Sequence, residues 1–265
     1  MVPIKDVDGG EIGWREAGAG EPVIFLHAMV TSRSGWDPQI LALAHRYRCV
    51  AWDMPGYGHS RPLLADASME TIIETLLHFV TEILGYESAH FVGLSVGGMM
   101  LQHLAVRHPE RVRSIAMLDC SPKFGFGGGS SGAEFEAWAS GQLDSRPQSQ
   151  FCEDMVRAIV APDVPEAAIE ASLTAMGRAS RAGLDLTTRL IARHDALELL
   201  PRIGCPTLVM AGEHDRETPP EYAWEIARRI PGANLTIIPN AGHISNLEAP
   251  EAVSARLRVF LEHGL

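Results

Sequence analysis

Several things are scarce in this sequence, and each scarcity excludes a class. No run approaches the roughly 18 uninterrupted apolar residues of a membrane-spanning helix. Met1 to Asp8 contain no apolar stretch of secretory-signal length, which points to a cytoplasmic protein. Cysteine occurs four times in 265 residues, and no two stand in a C-x-x-C pair. A disulfide scaffold, a redox motif and a metal site are therefore not expected. Cys49, Cys120 and Cys205 lie in or beside apolar strand-like runs and Cys152 in a helical stretch, so all four read as reduced thiols. Positive charge is also short: 22 Lys and Arg stand against 33 Asp and Glu, for a net charge of −11. Such a chain is a poor general partner for nucleic acid or an anionic membrane, because both are bound through clustered Lys and Arg.

What remains is ordinary globular composition, 46% hydrophobic and 21% charged. The length suits one or two domains. Short apolar runs alternate with longer segments of helical period. The runs are 23–26, 49–52, 90–94, 114–118, 207–211 and 235–238. Their unbroken apolar character suits strands buried on both faces. The more polar stretch 11–16 reads as an edge strand. Residues 69–84 place Met69, Ile72, Ile73, Leu76, Leu77, Val80, Ile83 and Leu84 on one helical face, with Ser68 as N-cap and Gly85 as stop. Helices are also expected at 220–230 and 249–263. The alternation predicts an α/β fold, a mostly parallel sheet covered by helices. Residues 123–195 break the alternation. A glycine-rich stretch, Gly125 to Gly132, precedes helical segments near 133–143, 148–160, 165–176 and 184–194. This region reads as a helical cap (123–195) inserted into a core formed by 1–122 and 196–265.

The sharpest motif is Gly93-Leu94-Ser95-Val96-Gly97-Gly98, set between a buried strand and an apolar helix. A serine at such a turn presents its hydroxyl at a helix N-terminus, and small neighbours let the chain pass. Ser95 is the expected nucleophile. Serine needs a base, and His243, in the loop after the last strand, is the candidate. Asp215, just after strand 207–211, is the expected acid partner, with Asp119 after strand 114–118 as competitor. The chain order Ser95, Asp215, His243 fits this hydrolase arrangement. The N–H groups of Met29 and Val96 are the expected oxyanion donors, with residue 28 the alternative to 29. His27 reads as a scaffold residue of that turn. The stretch Asp53 to Ser60 reads as a structural crossover; it has no lysine and no following helix for a phosphate.

These motifs together resemble the α/β-hydrolase family, in the group with a helical cap after the sixth strand. Within it, the stretches 35–39, 93–99, 211–220 and 242–248 are similar to those of 3-oxoadipate enol-lactonases. The resemblance implies an eight-stranded, mostly parallel sheet flanked by helices. It implies a serine hydrolase of a small-molecule carboxylic ester or lactone, working through an acyl-enzyme without cofactor or metal. Ala28 departs from the glycine common in the family, and the cap does not match the enol-lactonases. Hydrolysis of a carbon–carbon bond beside a ketone uses the same triad and is the alternative; a small-molecule receptor on this fold is the third reading. Ala28, Trp138 and Met155 are the expected substrate contacts, with Phe151, Met176 and Leu184 as further cap candidates. One of Arg157, Arg178, Arg181, Arg189 and Arg193 could meet a substrate carboxylate. A monomer and a homodimer are both compatible with the sequence.

Overall fold

The structure, a computed structural model, describes residues 2–264. The core is an eight-stranded sheet: β1 (Lys5–Asp8), β2 (Gly13–Ala17), β3 (Glu21–Leu26), β4 (Tyr47–Trp52), β5 (Ala89–Leu94), β6 (Val112–Leu118), β7 (Thr207–Gly212) and β8 (Asn234–Ile238). Its spatial order is β1-β2-β4-β3-β5-β6-β7-β8. The first two pairings are antiparallel and the rest parallel. Strand β1 carries no apolar run; three of its four residues are exposed, so hydropathy did not reveal it. It displaces β2 from the edge position expected for residues 11–16.

Ten α-helices cover the sheet or stand above it among the described residues. They are α1 (Asp37–Leu43), α2 (Met69–His78), α3 (Val96–Arg107), α4 (Gly132–Ser145), α5 (Gln148–Ile159), α6 (Glu166–Met176), α7 (Arg181–Ala192), α8 (Pro220–Arg229), α9 (Ser245–Glu248) and α10 (Pro250–His263). The expected Ser68 cap is a full capping box: Ser68 Oγ accepts the Thr71 N–H and Thr71 Oγ1 accepts the Ser68 N–H. Helix α2 continues through a π-type turn, Phe79–Ile83, and the chain then turns at Gly85, whose φ is +77°. No described helix is long and apolar enough to cross a membrane.

Helices α4–α7 lie between β6 and β7, in the segment expected as the cap. A short bridge from Tyr57 to Ala179 joins the cap to the core, and one from Lys123 to Asp195 pairs the two ends of the inserted segment. Buried Asp53, at the end of β4, joins the two parts electrostatically. Its carboxylate lies 3.4 Å from Arg33 of the core and 3.5 Å from Arg178 of the cap. The crossover expected at Asp53–Ser60 is thus a cap anchor. The four cysteines are free.

Candidate active site

Parallel β3, β5, β6, β7 and β8 all end on one edge of the sheet, so the loops after them converge. Ser95 sits between β5 and α3 with φ +54° and ψ −119°, a strained conformation for a residue with a side chain. The turn closes only because its neighbours lack Cβ atoms. A Cβ on Gly93 would lie 2.5 Å from the Gly97 carbonyl carbon, and one on Gly97 would strike the Leu26 carbonyl. The strain therefore presents Ser95 Oγ above the sheet.

His243 Nε2 lies 2.9 Å from Ser95 Oγ, and His243 Nδ1 lies 2.9 Å from Asp215 Oδ2. All three residues are buried. Asp215 is itself held: Oδ1 accepts the N–H groups of Glu217 and Thr218, each at 2.9 Å, and Oδ2 accepts the Thr218 hydroxyl at 2.8 Å. Asp119 has a different task. Its two oxygens accept the N–H groups of Gly212 at 2.8 Å and Ser245 at 3.0 Å. It binds the acid's strand to the histidine's loop and makes no bond to the ring.

Burial opposes the charged form of His243, but the Asp215 and Asp119 carboxylates outweigh it and raise its pKa to about 9. Burial and then the neighbouring Asp215 charge push Asp119 up to about 8. Burial lowers His27 to about 4, so it is neutral at pH 7. Its Nδ1–H donates to the Ala28 carbonyl at 2.8 Å, and its Nε2 accepts the Met54 N–H at 2.9 Å. His27 is a strut of the turn after β3, as its sequence context suggested.

That turn is held from several sides. The Ala28 N–H donates to Thr31 Oγ1 at 3.1 Å, the Tyr57 hydroxyl donates to the Met29 carbonyl at 3.0 Å, and Ser172 of α6 donates to the Val30 carbonyl at 2.9 Å. Ala28 is therefore occupied. Among the described residues the N–H groups of Met29 and Val96 have no acceptor.

Ser95 and His243 open onto a cleft of about 40 Å³, lined by Met29, Val30, Met99, Phe135, Met155, Ile159 and Ile191, with Thr218 and Glu217 at one side. Met155 lies where the sequence reading put it. Trp138 and Ala28 do not line the cleft. Trp138 is 45% exposed and stacks behind Phe135, one helical turn earlier on α4, and it is Phe135 that reaches the cleft. Ala28 is buried inside the turn. Phe151, Met176 and Leu184 are fully buried within the packing. The cap arginines are engaged elsewhere: Arg157 with Glu153 and Glu166, Arg178 with Asp53, Arg181 with Asp144 and Asp185, Arg193 with Glu136. Arg189 lines a different cavity.

Two supports escaped the sequence reading. Glu248, half-buried in α9, accepts the N–H groups of Gly242, Ile244 and Ala161 at 2.8–3.1 Å. Tyr57 holds Met29 and also contacts Thr187 Oγ1 at 3.1 Å. Both stood in motifs already singled out, but their partners are distant in sequence. Among the described residues, no group of three or more His, Cys, Asp or Glu side chains is arranged to hold a metal ion.

A family model described as the alpha/beta hydrolase fold matches residues 21–250. The chain is 31% identical to the dihydrolipoyllysine-residue acetyltransferase component of an acetoin cleaving system from Cupriavidus necator, over 97% of this chain and 68% of that protein. Among solved structures, it is similar to a thermophilic esterase from Thermogutta terrifontis (TM-score 0.87, 25% identity, 99% of each chain). It is likewise similar to the enol-lactonase from Burkholderia xenovorans (TM-score 0.85, 25% identity, 98% of this chain and 100% of that one).

Proposed function

This chain belongs to the α/β-hydrolase family, and on that premise we propose that it is a serine hydrolase of small, uncharged carboxylic esters. The observation that carries the reading is the relay Asp215–His243–Ser95, with 2.9 Å at each step, beside two unoccupied backbone N–H groups. His243 Nε2 accepts the Ser95 hydroxyl proton as Oγ attacks the ester carbonyl. The oxyanion accepts hydrogen bonds from Met29 and Val96, at the positive end of α3. Losing one such donor costs about 2.7–4 kcal/mol of transition-state stabilisation in comparable enzymes. Asp215 holds His243 with Nδ1 protonated and stabilises the imidazolium. His243 then gives its proton to the leaving alkoxide. Water, deprotonated by the same ring, releases the acid and restores Ser95.

The lining supports an uncharged acyl group. Seven apolar side chains face the cleft, and apart from the catalytic His243 its one charged neighbour, Glu217, is acidic. A carboxylate placed there would lose its hydration and find no cation other than His243, which must be neutral to act as the base. This favours neutral esters over a lactone bearing a free carboxylate. The cleft is narrow, but Met29, Met99 and Met155 are flexible and can repack around an acyl chain. The test is aryl-ester turnover by the purified protein and its Ser95→Ala variant. The reading requires multiple turnovers by the native chain and their loss in the variant; stoichiometric binding without turnover would support a receptor instead.

A further inference from the structure

Thr218 is buried between β7 and α8, where the acid and the base of the relay meet. Its backbone and its side chain both serve Asp215. The Thr218 N–H donates to Asp215 Oδ1 at 2.9 Å, and the hydroxyl donates to Oδ2 at 2.8 Å. The same hydroxyl oxygen lies 3.2 Å from His243 Nδ1, which is itself 2.9 Å from Asp215 Oδ2. Thr218 Oγ1, Asp215 Oδ2 and His243 Nδ1 therefore form a triangle. Among the described residues, no other side chain is hydrogen-bonded to both Asp215 and His243.

The polarity of the triangle follows from the donor count. The Asp215 carboxylate has only lone pairs to offer. The Thr218 hydroxyl has one proton, and the shorter contact gives it to Asp215. Its lone pairs are left for His243, so both oxygens that face Nδ1 are acceptors. Nδ1 must then carry the proton, and the lone pair of the neutral ring is on Nε2, beside Ser95 Oγ. A ring protonated on Nε2 instead would set its Nδ1 lone pair against two others, unless the hydroxyl turned away from Asp215.

We propose that Thr218 is a positioning residue, whose hydroxyl fixes the tautomer and the direction of the His243 ring. The proposal rests on the serine-hydrolase reading above. The hydroxyl also tempers the acid. It donates to the same oxygen that accepts His243 Nδ1–H, and so draws negative charge from the atom that stabilises the imidazolium. The other charges acting on the ring are the carboxylates of Asp119, between β7 and the His243 loop, and of Glu217, next to Thr218 in the chain. Neither is bonded to the hydroxyl, so replacing it leaves both in place.

The test compares Thr218→Val, which exchanges the hydroxyl for a methyl, with Thr218→Ser, which keeps it. Two measurements are made on the full chain: p-nitrophenyl butyrate kinetics across pH, and nitrogen-15 NMR titration of histidine-labelled protein with His243 assigned from a His243→Gln variant. In Thr218→Val, kcat should fall at least about tenfold while KM stays within about twofold. The kcat/KM limb and the His243 titration midpoint should both move to higher pH. Thr218→Ser should recover most of kcat and the native midpoint. The role is overturned if Thr218→Val matches the native chain, if KM rises as far as kcat falls, if the midpoint stays or moves to lower pH, or if Thr218→Ser is as impaired as Thr218→Val. The NMR midpoint requires no turnover, so it judges Thr218 separately; a native chain that hydrolyses no ester would sink the hydrolase reading instead.

Discussion

Glu248 accepts the N–H of Ala161 at 2.8 Å, a bond between the C-terminal part of the core and the chain just beyond cap helix α5. The same carboxylate accepts the N–H groups on either side of His243, from Gly242 and Ile244. The His243 N–H in turn donates to Ile159 of α5 at 2.9 Å. The loop that carries the base is therefore fixed by the cap as much as by the sheet.

Glu248→Gln removes the charge and turns an N–H donor towards a backbone N–H. Hydrogen bonds to charged groups contribute about 1.5–3 kcal/mol each, so a loss of that order in unfolding free energy is expected, measured by urea denaturation. The kcat for an aryl ester should fall more than KM rises, since the ring and not the cleft is displaced. Unchanged stability and kcat would contradict this role for Glu248.

Asp215 and Asp119 separate by experiment. Asp215→Asn should lower kcat by roughly 10⁴, as expected when the ring loses the partner that sets its tautomer. Asp119→Asn leaves that bond intact but sets an amide against the Gly212 or Ser245 N–H. It should cost about 1–3 kcal/mol of stability and far less activity. Equal rate losses in the two variants would reverse the assignment.

The pH profile follows from the signs. His243 works as a base only when neutral, and its pKa is raised to about 9 by Asp215 and Asp119 against the effect of burial. The rate constant kcat/KM should thus fall with decreasing pH on a limb above the ordinary imidazole value of about 6.5. Removing the Asp119 charge removes one raising influence, so Asp119→Asn should move the limb to lower pH. A shift to higher pH, or none, would contradict the electrostatic account.

Substrate charge is the next discriminator. With seven apolar side chains and Glu217 at the cleft, p-nitrophenyl butyrate should exceed p-nitrophenyl hemisuccinate in kcat/KM by at least about tenfold, equivalent to 1.4 kcal/mol. Comparable values, or a preference for the hemisuccinate, would favour a substrate that carries a carboxylate.

The parts legible in the sequence share a physical basis. Strands β3 to β7 are buried on both faces along most of their length, so their apolar runs stand out, and Ser95 is marked by glycines that sterics demand. Strand β1 and helix α9 are too short and too polar to leave such a pattern. The supports of the site were harder to read. The bonds of Tyr57 to Met29 and of Glu248 to Ala161 span 28 and 87 residues, and neither is set by local periodicity. In the cap, Phe135 and Trp138 share one face of α4 at i and i+3, and only packing decides which reaches the cleft. The cap arginines illustrate the same limit, since all are equally visible in the sequence and only the fold gives Arg157, Arg178, Arg181 and Arg193 their carboxylates.

The central claim is that Ser95 attacks the substrate carbonyl and carries the acyl group. Intact-protein mass spectrometry after exposure to a p-nitrophenyl alkylphosphonate, followed by peptide mapping, tests it most directly. One phosphonyl group per chain on the peptide containing Ser95, with matching loss of esterase activity and no adduct on Ser95→Ala, is the predicted result. Labelling at another residue, or a Ser95→Ala variant that retains more than a few per cent of the native rate, would contradict it.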